Sequence, residues 1–336
     1  MESVFKKIFI GLVLLHLAAL VFLMVTTRKE VYQQRAIPED LRQFTISEGS
    51  SLNQVLEELH QKQLAPTPVI MRLALSLENE RVVVKKGEYQ LPESSSPRDL
   101  LDLFQKGRVV LHKVTIPEGL DRWQVAELLG QTQWGDQETF QSLINDPSLI
   151  GHLDPEADSL EGYLFPETYL FPEGTDAFEV VASMVNQFEV RTADLRNQLK
   201  TRPLSLRRLV TLASLVEKES SLAEERVLIA GVFSNRLERG MLLQCDPTII
   251  YSLKLDNRYR GKIYRSDIRY NHPYNTYVSK DLPPGPIANP SLGSLQAALF
   301  PDETPYLYFV AMKNGAHYFS KSLKEHNRAV RTYQRN

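Results

Sequence analysis

LVTLASLVEKESSLAEERVLIAGVFSNRLERGMLLQCDPTIIY, residues 209–251, is the stretch on which the fold turns. At about 100° per residue, Leu206, Leu209, Val210, Ala213 and Val216 fall on one apolar stripe of a helix. Arg207, Thr211, Ser214 and Lys218 take the other side, and Glu217 and Glu219 land on opposite margins of the stripe. A carboxyl at the edge of a buried face can be desolvated enough to keep its proton near neutral pH, which suits a general acid. Two solvated helix-end carboxylates fit the same spacing. In the second helix, Ser221 with Glu224 fits a capping box and Gly240 a left-handed C-terminal cap. Val227, Ala230, Gly231 and Ser234 give that helix a small-residue stripe for close packing. The first helix must then stop near Ser220, which places Glu219 at a helix–helix corner, where clefts form.

The 336-residue chain is 43% hydrophobic and 24% charged, which predicts globular material in two domains. Its 39 basic and 41 acidic residues leave a net charge of −2, so charge gives no reason to expect nucleic acid. A neutral polymer or a small molecule fits. Cys245 is the only cysteine, which excludes an internal disulfide. No Cys or His stands beside it at metal-ligand spacing, so it reads as a small residue in a packed turn. No metal and no cofactor are expected.

Residues 8–25 are apolar except for His16, long enough to cross a hydrocarbon core. Lys6 and Lys7 precede them, and Arg28 and Lys29 follow. The small-residue pairs of a cleavage site are absent after Phe22, so an uncleaved anchor is expected over residues 1–30. Basic residues on both flanks leave its orientation open. Residues 31–42 read as a polar tether.

A repeat follows. Residues 44–59 (FTISEGSSLNQVLEEL) align without gaps on residues 114–129 (VTIPEGLDRWQVAELL), and each copy reads as a strand, a Glu-Gly turn and an amphipathic helix. Between the copies lie a strand at 87–91 and a helix capped by Ser96, with Pro97 in its first turn and Gly107 at its end. The module over residues 43–112 resembles the LysM-like domain of bacterial cell-wall proteins, TISEGSSL being the nearest local match. A generic small α/β spacer has the same pattern.

Residues 136–155 read as helix plus loop. Residues 160–169 (LEGYLFPETY) carry a proline, a glycine and three aromatics, which forbid a regular helix. Such a loop either lines a sugar cleft with Glu161 and Tyr163 or plugs the core. Residues 177–199 read as one helix. Tyr251, Tyr259, Tyr264, Tyr270, Tyr274 and Tyr277 crowd one irregular segment, and the proline-dense run at 282–290 rigidifies the loop beyond it. Rigid loops bearing aromatics and amides suit extended neutral polymers. A short helix at 291–299, a hairpin about Lys313-Asn314-Gly315 and a last helix from Ser322, carrying His326 and Asn327, complete the chain.

LASLVEKE (212–219), NRL (235–237), LQCDPT (243–248), YNTY (274–277), LPPGPI (282–287) and YLYFV (306–310) occur in this order, after EGYLFP (161–166). Together they resemble the YceG-like domain of the endolytic murein transglycosylases. The resemblance implies an α+β protein: an N-terminal transmembrane helix, a LysM-like module and a YceG-like catalytic domain over residues 113–334. It implies a lytic transglycosylase of the bacterial inner membrane, with its catalytic domain outside the cytoplasm. The substrate would be peptidoglycan strands, with peptidoglycan synthases as further partners. Glu219, followed by Ser220, takes the place of the catalytic acid. Glu161, Tyr163, Asn235, Gln244, Asp246, Thr248, Tyr274, Asn275, Thr276 and Tyr277 are assigned to substrate. Asp246 could instead simply cap a helix.

Lytic cleavage needs a proton on the leaving oxygen and a base for the C6 hydroxyl that closes a 1,6-anhydro ring. One carboxyl can serve in turn, unlike the usual hydrolase pair. Two alternatives compete: a lysozyme-like hydrolase in which Glu161 or Asp246 activates water, and a membrane-tethered glycan-binding scaffold without chemistry.

Overall fold

The apolar run that opens the chain forms one continuous helix, α1 (Glu2–Tyr32). The computed structural model describes residues 2–220 and 222–334, and the chain divides into two compact units. The first holds residues 1–112 with 171–174; the second holds 113–170 and 175–336.

In the first unit α1 is followed by β1 (Arg35–Ala36), β2 (Gln43–Ile46), α2 (Leu52–Gln61) and α3 (Pro68–Leu77). Then come β3 (Gly87–Gln90), β4 (Ser94–Ser95) and α4 (Pro97–Lys106). β2 runs antiparallel to β3 with Phe44 opposite Tyr89, and β1 pairs with β4. Ser51 and Gln54 form a capping box on α2, and Ser96 and Asp99 form another on α4. Gly107 closes α4 at φ 68°, as expected from its position. Phe44 stacks on Phe104 at 5.2 Å within a core that includes Leu56, Leu59, Met71 and Leu101.

Residues 31–42 do not form a free tether. Val31 and Ile37 are 1% and 3% exposed within this core, and Thr27 is buried as well. The reason lies in the sequence: apolar residues recur beyond the span, so the helix end gains more from packing than from solvation.

β5 (Leu111–Thr115) leads into the second unit, which holds α5 (Arg122–Leu129), α6 (Gln137–Asn145), the first part of β6 (Thr168–Pro172), α7 (Ala177–Arg191) and α8 (Ala193–Leu199). Then follow α9 (Leu206–Glu219), α10 (Arg226–Glu238), α11 (Asp246–Leu255) and α12 (Leu292–Leu299). β7 (Tyr308–Ala311), β8 (His317–Ser320) and α13 (Leu323–Tyr333) end it. The second repeat copy keeps the local form of the first: Gly119 sits at φ 76°, and Asp121 with Gln124 makes the capping box of α5. The helix expected over 177–199 is two helices. Thr192 breaks it, its hydroxyl donating to Phe188 O and its backbone leaving the helical region.

α9 is the centre of this unit and packs against α10, α11 and α12. It is more buried than an amphipathic stripe implies, because Thr211 and Ser214 are also inside. Each hydroxyl donates to a carbonyl of the preceding turn, Thr211 to Arg207 O and Ser214 to Thr211 O. Ser214 also accepts from Ile287 N, which fastens the proline-rich loop onto α9. Asn289 at the end of that loop binds the 160–169 loop: its Oδ1 accepts from Gly162 N and Leu164 N. The 160–169 loop therefore plugs the core rather than lining a cleft.

Ser221 lies outside the described residues. α10 begins later than its capping pattern suggests, after a short 3-10 turn at Ala223–Glu225, and has no side-chain cap. Glu225, at the N-cap position, turns its carboxylate elsewhere. Gly240 follows α10 at φ 63°. Asp246 does not cap α11; Cys245 holds that position and Asp246 is the first helical residue.

Candidate active site

The two glutamates that end α9 have different fates. Glu217 is a structural anchor: its Oε2 accepts from both the backbone N and the hydroxyl of Ser291, the N-cap of α12, and Arg226 lies 3.5 Å from Oε1. Lys218 donates to Gly119 O. With its neighbours fixed on either side, α9 presents Glu219 to a cavity of about 540 Å³ at the corner with α10. α10 gives Phe233 and Arg236 to this cavity, and the turn before α11 gives Gln244, Cys245 and Asp246. Tyr277, Tyr308, His317, His326, Asn327 and Gln334 complete its polar lining.

Glu219 Oε1 is 3.0 Å from Cys245 Sγ, which donates to it. Burial among these groups raises the Glu219 pKa above the ordinary carboxyl value. The Cys245 hydrogen bond and the charges of His317 and Arg236 work against this rise; Asp246 works with it. The thiol itself is pushed well up, chiefly by burial and then by the neighbouring carboxylate, so it stays a neutral donor. A carboxyl at this corner holds its proton more tightly than one in water, which a general acid requires.

Asp246, at the open side, accepts from Tyr277 OH at 2.6 Å. Arg236 is 7% exposed; its Nε donates to Leu307 O and its Nη1 to Leu242 O and Leu243 O. Its guanidinium also lies over the Tyr308 ring at 5.0 Å. His326 stacks on the other partner of that group, Tyr308, at 5.3 Å. Burial, and Arg236 beside it, lower the His326 pKa.

Of the residues assigned to substrate, Gln244, Asp246 and Tyr277 join Glu219 in the cavity. Thr248 and Thr276 stand one layer behind. Thr276 Oγ1 accepts from Cys245 N and meets Thr248 Oγ1 at 2.9 Å, while Thr276 O accepts from Gln244 N. These bonds hold Gln244 at φ 52°, a left-handed conformation that sharpens the turn before α11.

The remaining assignments lead away from the cavity. Asn235 Nδ2 donates to Thr304 O and Tyr306 O, tying α10 to the approach of β7. Asn275 is fully buried, with Nδ2 on Tyr270 O and Oδ1 receiving Tyr277 N. Tyr274 packs on Tyr251 at 5.1 Å. Tyr163 is buried, with its hydroxyl 2.5 Å from Asp154 Oδ2, which also receives Arg207. Glu161 is 3% exposed and accepts from Arg122 N and Asn289 Nδ2. These five hold loops in place: Asn235 and Asn275 are tied to backbone atoms, Glu161 to a backbone N–H and the Asn289 amide, Tyr163 to the Asp154 carboxylate, and Tyr274 packs on a ring.

Sequence reading missed Arg236, Tyr308 and His317 as cavity residues, and gave no role to His326 and Asn327. One signal was available: two of the seven histidines fall within ten residues of each other, on the terminal hairpin and helix. Among the described residues, no three side chains of His, Cys, Asp or Glu converge as metal ligands.

The model of the YceG-like family matches residues 44–332. The chain belongs to the YceG-like family. Among the relatives of this YceG-like chain is the endolytic murein transglycosylase of Bacillus subtilis (strain 168), 35% identical over 237 residues, covering 66% of this chain and 65% of the relative. The endolytic murein transglycosylase of Streptococcus pneumoniae (serotype 2, strain D39) is 34% identical over 323 residues, covering 85% of this chain and 57% of the relative. The chain thus spans less than two thirds of the length of either. A 2.6 Å crystal structure of a YceG-like protein from Listeria monocytogenes superposes with a TM-score of 0.59 at 32% identity, covering 89% of this chain and 99% of that one.

Proposed function

We propose that this YceG-like protein is a membrane-anchored lytic transglycosylase. It cleaves the bond between N-acetylmuramic acid and N-acetylglucosamine in peptidoglycan strands and leaves 1,6-anhydro-muramic ends. Relatives named endolytic murein transglycosylases support the reaction class and a cut within strands; that the strands are nascent is part of the proposal. The observation that carries the reading is the fate of the two helix-end glutamates: Glu217 is consumed in the N-cap of α12, and Glu219 is desolvated in the cavity wall. Glu219 protonates the leaving oxygen, and its conjugate base suffices to accept the proton of the C6 hydroxyl as the ring closes. Gln244, Asp246 and Tyr277 orient the glycan; Thr248 and Thr276 hold the turn that carries two of them.

The hydrolase reading keeps one foothold. Asp246 shares the cavity with Glu219, whereas Glu161 is sealed in the core, so Asp246 is the carboxylate that would activate water. Analysis of soluble products by mass spectrometry separates the two: 1,6-anhydro ends support the lytic reaction, and reducing ends overturn it.

The helical span Phe5–Tyr32, whose most apolar window has a mean hydropathy of 2.9, serves as a single-pass anchor in the inner membrane. The chain beyond the anchor then lies on the extracytoplasmic side, within reach of peptidoglycan synthases. The β2–α2–α3–β3 order of the first unit supports a LysM-like, glycan-binding role.

A further inference from the structure

Glu219 is not the only group in its cavity with a catalytic geometry. His317 on β8 lies with Nδ1 2.7 Å from Glu225 Oε2, and its backbone N donates to Glu225 Oε1 at 2.9 Å. Both oxygens of Glu225 are thus directed to one residue. This explains why α10 lacks a side-chain cap although an acidic residue sits at its N-cap position. The imidazole packs edge-on against Phe309 at 5.4 Å and beside Phe319, which fixes the plane of the ring. A carboxylate on Nδ1 places the proton of the neutral ring there and leaves the lone pair on Nε2. Nε2 makes no hydrogen bond among the described residues, and the ring lines the same cavity as Glu219. A base held by a third group and sharing a cavity with an acid is the arrangement expected of an acid–base pair.

We propose that His317 is a second catalytic residue of this cavity, its Nε2 taking the proton of the C6 hydroxyl while Glu225 holds the ring. The proposal rests on the reading of Glu219 as the acid of a lytic cleavage, and it moves the base from the Glu219 carboxylate to a separate group. The step balances. The C1–O bond to the leaving sugar breaks with its electron pair going to that oxygen, which receives the Glu219 proton. The C6 oxygen bonds to C1 and gives its proton to Nε2. The imidazolium is paired with Glu225, and passage of its proton through the emptied cavity to Glu219 restores both groups with no net proton consumed. In a β-linked pyranose the leaving oxygen and C6 lie on the same face of the ring, so one cavity wall can serve both.

Charged and titratable groups around His317 come from every element that lines the cavity. They are Glu225 before α10, Glu219 ending α9, Arg236 on α10, Cys245 and Asp246 at the start of α11, Tyr277, Tyr308 on β7 and His326 on α13.

The test uses the full chain in detergent with purified peptidoglycan, reading turnover against pH for the wild type and four variants. His317→Gln should lower kcat about 100-fold or more with KM little changed, and should remove the acid limb of the profile. Glu225→Gln should lower kcat to an intermediate degree, since the ring keeps a partner but loses the charge that supports the imidazolium. Added imidazole should restore part of the activity of His317→Ala. The proposal is overturned if His317→Gln stays within about threefold of the wild type. A fall with the acid limb retained and no imidazole rescue overturns it too, since that marks a structural role. Glu219→Gln separates the two readings: inactive Glu219→Gln beside an active His317→Gln sinks only the His317 role, and an active Glu219→Gln sinks both.

Discussion

The thiol of Cys245 donates to the carboxyl of Glu219 across 3.0 Å, with the cysteine buried and Glu219 facing the cavity. A thiol is a weak donor, so it positions the acid while stabilising its charged form little. Cys245→Ser supplies a stronger donor and should lower the Glu219 pKa, moving the alkaline limb of kcat/KM to lower pH. Cys245→Ala removes the donor and should move that limb the other way. Shifts of the same sign in both variants would show that the contact does not tune the acid.

Stability should carry the mark of buried carboxyls. Burial pushes Glu161 from an ordinary 4.5 up to about 8, so the native state holds its proton more tightly than the unfolded chain. That preference stabilises fully below pH 4.5 and is lost as pH rises through about 8. Glu161→Gln should flatten the decline of urea midpoint across this window. Glu219→Gln should act with the same sign, raising the midpoint at neutral pH more than at acid pH.

Asn289 joins three segments: Oδ1 receives Gly162 N and Leu164 N, and Nδ2 reaches Leu120 O. The side chain is fully buried. Asn289→Ala leaves two buried N–H groups unpaired and should cost about 3 kcal/mol in denaturant unfolding. A loss under about 1 kcal/mol would mean that water replaces it.

The α1 helix ends inside the first unit, with Val31 and Ile37 in its core. A chain starting at Gln43 should therefore be less stable than one starting at Thr26, by about 3–5 kcal/mol for two lost apolar side chains. Differential unfolding of the two chains measures it; equal stability would restore a free tether over residues 31–42.

Elements whose signals are local were readable. Ser96, Pro97 and Gly107 bound α4 because caps act over one turn, and Lys313-Asn314-Gly315 turns the terminal hairpin for the same reason. Long-range packing was not readable. Thr211 and Ser214 count as polar in a periodicity, yet bond to their own helix and go inside. Asn275 and Thr276 look like ligand-binding groups by type, but both are taken up by backbone atoms, Asn275 within its own irregular loop and Thr276 at Cys245, 31 residues away. Local spacing treats Glu217 and Glu219 alike; the contact that separates them is made by Ser291, 74 residues from Glu217 in sequence. His317 escaped notice because its partner Glu225 lies 92 residues off in sequence.

The central claim is that Glu219 is the proton donor of a lytic cleavage. It is tested most directly by digesting purified peptidoglycan with the wild type and with Glu219→Gln and analysing the released ends by mass spectrometry. Circular dichroism would first show that both proteins are folded. We predict 1,6-anhydro-muramic ends from the wild type and none from the folded variant. Undiminished release by Glu219→Gln would contradict the assignment of the acid, and reducing ends from the wild type would contradict the reaction.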